Sequence, residues 1–103
     1  TWWDHRGTTE WIQLDLAKPT EVSSTSVYWF DDTGRGQCRV PGNWQLSARV
    51  DGEWKVMAPG VESPVKKDQF NVLKFAPVTA DALRIEVKLA PGFSGGILEW
   101  KVD

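Results

Sequence analysis

The sequence predicts an all-β domain, an antiparallel β-sandwich, and three observations carry that prediction. Apolar residues recur with a period of two. Turn residues punctuate the chain between short alternating runs. No apolar stripe of 3.6-residue period extends beyond one turn, so no helix is predicted. At 103 residues the chain has room for one core and one domain.

In chain order, Glu10 to Leu16 (EWIQLDL) places Ile12, Leu14 and Leu16 on one face and Trp11, Gln13 and Asp15 on the other. Lys18-Pro19-Thr20 reads as a turn. Ser26 to Phe30 is a more fully apolar strand, as expected when both faces are covered. Trp44 to Val50 alternates again, and Asp51-Gly52 is a hairpin signal leading into Glu53 to Met57. Pro59-Gly60 and Pro64 mark a loop, and Phe70 to Phe75 is a further strand. Leu83 to Leu89 sets Leu83, Ile85, Val87 and Leu89 against Arg84, Glu86 and Lys88. A glycine-rich loop around Phe93 precedes the last strand, Ile97 to Val102. About seven short strands between turns fit a sandwich. The chain opens abruptly at Thr1-Trp2-Trp3 without a Met, so it is expected to be a fragment of a larger protein, with room for one or more N-terminal strands to be missing and a sheet edge exposed.

Composition narrows the function. Net charge is -2 and the pI about 5.3, which gives no basic field for nucleic acid or anionic membrane. No window reaches the roughly 20 apolar residues of a membrane-spanning helix. One Cys and one His leave no internal disulfide and no zinc cluster. Seven Trp are more than a small β core needs, since each buried indole N–H wants a partner. Exposed Trp suits flat apolar faces, including the C–H faces of sugars. Trp11, Trp29, Trp44, Trp54 and Trp100, in or beside strands, are expected to pack in the core or on a sheet face.

Two stretches hold the candidate ligand groups. The loop between Phe30 and Trp44 is long and charged, with Asp31, Asp32, Arg35 and Arg39. Carboxylate beside guanidinium matches the alternating acceptors and donors of vicinal diols; internal bracing of the loop by its own turns and salt bridges is the other reading. Trp2-Trp3-Asp4-His5-Arg6-Gly7 is the second candidate. Adjacent Trp on a strand point opposite ways, so one of Trp2 and Trp3 faces a ligand while the other packs inward. His5 and Arg6 offer directed donors to hydroxyls, while a simple surface turn with an Asp4–Arg6 pair is the alternative. Phe93 is either a stacking platform or a residue tucked under its loop. Cys38 reads as a small buried hydrophobe. No nucleophile elbow, phosphate loop or metal-ligand set is present, and adjacent Asp31 and Asp32 do not flank a scissile glycosidic bond at the required ~5–10 Å.

Three segments together resemble the discoidin or coagulation-factor type C family, within the galactose-binding-like jelly rolls. They are Trp2 to Leu16 (WWDHRGTTEWIQLDL), Asn43 to Val56 (NWQLSARVDGEWKV) and Ala82 to Val102. The wording WWDHRGT, YWFDDTGRG and CRVP looks more like the accessory C-terminal modules of bacterial six-hairpin glycoside hydrolases, the β-L-arabinofuranosidase-like group. The resemblance implies a jelly roll with a ligand site on loops at one end, usually for sugar and in some members for lipid or protein. It makes Trp11 a core residue. It implies a structural calcium in the intact domain, with Thr1 and Glu99 as the matching ligands; the family's Asp-Gly-Asp loop is absent here.

The expectation is therefore a non-catalytic, monomeric carbohydrate-binding or accessory module of a bacterial glycoside hydrolase, extracellular or periplasmic. It would bind a plant or host glycan through Trp2, Trp3, Asp4, His5, Arg6, Asp31, Asp32, Arg35, Arg39 and Phe93. The alternatives are a structural module packed on a catalytic domain, or a protein or lipid adhesion domain.

Overall fold

A computed structural model describes residues 1–103. It has five strands and no helix: β1 (Thr9–Trp29), β2 (Asn43–Val50), β3 (Glu53–Val56), β4 (Phe70–Lys88) and β5 (Ile97–Val102). All pairings are antiparallel, in the order β3-β2-β4-β1-β5. The predicted seven short strands become five because two pairs are continuous. Lys18-Pro19-Thr20 bends β1 without ending it, and the residues between Phe75 and Leu83 likewise stay within β4.

The bend has an identifiable cause. The β1–β4 ladder shifts register between Asp15 and Thr20 and again between Val22 and Ser24. Pro19 and Pro77 both fall in these breaks, where the missing N–H costs no ladder bond. Asp103 at the chain end caps the second break, its carbonyl accepting from the N–H of Ser23 at 2.7 Å and Ser24 at 3.0 Å. One sheet thus folds over itself into two layers. Val22, Val27, Trp29 and Leu73 from one half meet Leu46, Ala48, Leu83, Ile85 and Val87 from the other in a single core. Trp29 and Trp44 touch across it edge to face, their centroids 5.6 Å apart.

The period-two readings of β2 and the second half of β4 hold: Trp44, Leu46, Ala48, Leu83, Ile85 and Val87 are all buried. The Asp51-Gly52 turn has positive φ at both positions, +51° and +80°, as a type I′ hairpin requires. The first half of β1 keeps the predicted phase but not the predicted burial. β5 pairs only with Thr25 to Trp29, so Thr9 to Leu16 form an open edge. Ile12 and Leu14 remain 39% exposed there. Trp11 is not a core residue: it lies directly opposite Glu86, in phase with Gln13 and Asp15, and is 58% exposed on the outer face.

The two buried indoles differ in one respect. Trp44 donates to the Pro64 carbonyl at 2.7 Å, whereas the Trp29 indole N–H is buried without a partner. Trp44→Phe should therefore cost about 1 kcal/mol more than Trp29→Phe, because only the former removes a hydrogen bond and leaves a half-buried carbonyl without its donor. Urea unfolding midpoints of the two variants measure the difference, and the reverse order would contradict this account.

Candidate functional site

Three segments converge at one end of the sandwich: residues 1–8, 30–42 and 90–96. Ser94, fully buried, joins them. Its hydroxyl donates to the Trp2 carbonyl at 3.0 Å, its N–H to the Gln37 carbonyl at 2.9 Å, and its carbonyl accepts from Arg39 N–H at 3.0 Å. Trp2 N–H donates to Gly95 and Gly7 N–H to Phe93. The two stretches singled out in the sequence, and the Phe93 loop with them, are thus one surface.

Within it the side chains divide by what they touch. Asp31 is turned inward, its side chain 5% exposed. It accepts from the Thr33 hydroxyl, Thr33 N–H at 3.0 Å and Val40 N–H at 3.1 Å, with Lys67 at 3.6 Å. Burial pushes the Asp31 carboxyl up, but the Thr33 and Val40 donors and the Lys67 charge outweigh it and hold the pKa below its ordinary 3.8. Asp32 accepts from Cys38 N–H at 2.8 Å and sits 3.6 Å from Arg39. Its carboxylate also overlies Gly36, where a Cβ would lie 2.1 Å from Oδ2 and would have to displace it. Arg39 donates to the Gly36 and Cys38 carbonyls and covers the Phe93 ring at 4.4 Å. Asp31, Asp32, Arg39 and Phe93 thus make the contacts expected of internal bracing, the other reading of this loop. Cys38 is buried, and burial followed by the nearby Asp32 charge raises its thiol pKa, so it behaves as a small core residue.

The presented groups are fewer. Trp2 and Trp3 are not strand neighbours. They begin a tight turn closed by His5 N–H to the Trp2 carbonyl at 2.9 Å, with Asp4 at φ +75° in the position that demands it. Trp2 packs against the core and, with Thr1, Trp11, Ile12 and Ile97, lines a groove of about 170 Å³. Trp3 projects outward, 54% exposed, with the Arg6 guanidinium 5.7 Å from its ring. Asp4 makes no pair with Arg6. His5 is tied instead to Glu10, Nδ1 to Oε1 2.5 Å, and the Thr8 hydroxyl donates to the same oxygen at 2.8 Å. The Thr8 bond first, then His5, lowers the Glu10 pKa against the effect of burial. Arg35 is exposed at the tip of the charged loop, without an ion-pair partner. Thr1 rests on Gly96, and Glu99 is exposed on β5 opposite Tyr28. No group of three or more His, Cys, Asp or Glu forms around them, and a hard cation wants six or more oxygens, so these residues alone do not fit a calcium site.

The largest cavity, about 430 Å³, lies beside this end and is lined by none of the candidate ligand residues read from the sequence. Asn43, Gln45, Glu86, Lys88 and the loop Ala58 to Ser63 line it. The Pro59-Gly60 turn signal marked the loop, but nothing in the sequence placed it over β2 and β4.

Asp31→Asn gives a check on the bracing. The amide cannot accept at both oxygens, so the Val40 or Thr33 donor is left unpaired, at a cost of about 1–3 kcal/mol near pH 7. The folded carboxyl titrates below its unfolded value, so its stabilisation is complete above pH 3.8 and is lost as pH falls through the lower folded value. Denaturant titrations of both proteins from pH 7 down to 3 should show the gap closing at the acid end; a gap that widens there would rule out the assignment.

No protein-family model matches the chain, and no curated protein sequence does. Among solved structures, it superposes on a pectin-binding carbohydrate-binding module with TM-score 0.72 at 23% identity, over 94% of this chain and 68% of that one. It superposes on chitosan-binding module 1 of a chitosanase/glucanase from Paenibacillus sp. IK-5 with TM-score 0.70 at 14% identity, over 95% of this chain and 71% of that one. A protein assigned as an α-L-fucosidase, from Bacteroides thetaiotaomicron, gives TM-score 0.63 at 19% identity over 97% of this chain, but only 22% of its own length. The chain therefore has a β-sandwich fold of the kind found in carbohydrate-binding modules.

Proposed function

We propose that the chain is a non-catalytic carbohydrate-binding module of the discoidin-like, galactose-binding-like type, carried by a bacterial glycoside hydrolase outside the cytoplasm and acting as a monomer. The observation that carries this reading is Trp3, held out from a fixed turn beside Arg6 and His5, on a fold shared with pectin- and chitosan-binding modules. An indole face stacks on a sugar's C–H face, and Arg6, His5 and Arg35 supply donors for its hydroxyls. The adjacent Asp31 and Asp32 carboxylates are already engaged by loop N–H groups, which supports binding over acid–base work at this end. A calcium in the intact domain would need ligands beyond Thr1 and Glu99. Affinity for a short sugar should be weak, about micromolar to millimolar, since little area is buried and water hydrogen bonds are only exchanged.

Calorimetric titration with a panel of plant and host oligosaccharides tests the reading. Saturable binding should fall at least about tenfold in Trp3→Ala, equivalent to about 1.4 kcal/mol, while the unfolding midpoint stays unchanged. Binding that survives Trp3→Ala and Arg6→Ala at full strength would remove the loop end as the site. A second reading rests on the fucosidase match, in which this fold is a small part of a longer chain. There the same loops would pack on a catalytic domain, and Trp3→Ala would weaken association between separately produced domains instead of sugar binding.

A further inference from the structure

The outer face of the layer formed by β2, β3, the first half of β1 and the second half of β4 carries a feature that the loop end does not use. Trp11 on β1 and Trp54 on β3 are exposed there, 58% and 37%. Arg84 on β4 stands between them. Its guanidinium carbon lies 4.7 Å from the Trp11 ring centroid and 4.5 Å from that of Trp54. No carboxylate pairs with Arg84. It is held by Gln13, whose Oε1 accepts from Nε at 3.2 Å and Nη2 at 2.7 Å, and Gln13 donates in turn to Asp15 at 2.7 Å. Arg49, fixed by Asp81 at 2.7 Å, reaches Trp54 at 5.6 Å. The Arg84 guanidinium therefore holds both indoles before any ligand arrives. Preorganised aromatics lose little freedom on binding.

The 430 Å³ cleft opens on the same face. Glu86, opposite Trp11 in the ladder, lines it with Gln45, Asn43 and Lys88. Its volume is within the ~300–1,000 Å³ range of ligand sites. Arg84, Glu86 and Lys88 alternate in sign along β4 and Glu62 adds a carboxylate from the loop, so no single sign dominates. Amide, carboxylate and ammonium groups together offer both acceptors and donors, the complement of sugar hydroxyls. We infer that this face is a second saccharide site, in which a neutral glycan chain stacks on Trp11 and Trp54 and runs into the cleft beneath the Ala58 to Ser63 loop. Arg84 acts here as a positioning residue for both rings. The inference rests on the carbohydrate-binding reading but not on the loop-end residues.

Nitrogen-edited NMR separates the two, because the seven indole N–H groups report individually once assigned by single Trp→Phe substitutions. With xylohexaose and cellohexaose as probes, the Trp11 and Trp54 signals should move saturably. Trp54→Ala and Glu86→Gln should each weaken that response at least about fivefold. Trp3→Ala should leave it unchanged, and Arg84→Met should broaden the Trp11 and Trp54 signals while the other indoles keep their positions. Movement of the Trp3 signal alone overturns the second site and leaves the loop-end reading standing. Movement of Trp11 and Trp54 only with pectin or chitosan fragments overturns the neutral-chain class. No indole movement with any of these sugars overturns both readings.

Discussion

The bent ladder between β1 and β4 is the constraint on which the rest depends. Two long antiparallel strands run through both layers, and the register breaks at Asp15–Thr20 and Val22–Ser24 let them fold back on themselves. Without the bend, Leu83, Ile85 and Val87 would face water instead of Val27, Trp29 and Leu73. Each fully buried Val, Leu or Ile side chain contributes about 1.5–3 kcal/mol, so closure of the two layers is the main source of stability. The prolines at 19 and 77 favour it, because a strand interior loses nothing by placing them where no ladder bond exists.

The bend also determines where function can reside. It directs the chain ends of β1, β2 and β4 to one pole, where Ser94 ties the N-terminal turn, the charged loop and the Phe93 loop together. The charged loop is rigid because its acids are satisfied from within. Asp31 and Asp32 between them take the N–H groups of Thr33, Val40 and Cys38, and Arg39 closes over Phe93. A loop so braced holds its neighbours at fixed positions and leaves Trp3, Arg6 and Arg35 exposed without a side-chain hydrogen bond or ion pair, with His5 tied to Glu10 beside them. Rigid presentation matters for sugars, whose weak contacts leave little free energy to spend on ordering a loop.

Much of this was legible in the residues. The alternation in β2 and the second half of β4, the Asp51-Gly52 hairpin, and the last strand all follow from local pattern, and local pattern survives folding when a strand is covered on one face. The same alternation placed Trp11 with Gln13 and Asp15 on the outer face, and the structure agrees with it against the motif resemblance, which made Trp11 a core residue. The reading of Lys18-Pro19-Thr20 as a turn failed because proline signals a missing donor, and a chain meets that lack equally well by turning or by bending at a register break. Trp2 and Trp3 were misread as strand neighbours because nothing local announces the positive φ of Asp4.

The sequence by itself determined the all-β class, the phase of most strands and the residue types gathered at the loop end, because side-chain period and turn chemistry are properties of neighbours along the chain. Tertiary structure alone decided which of those groups are free. Whether Asp31 meets a ligand or Val40, whether Arg84 finds a carboxylate or two indoles, and whether β5 covers the first half of β1 depend on residues brought together from distant positions. That convergence comes from the folding of β1 and β4 over a common core, and no local signal encodes it.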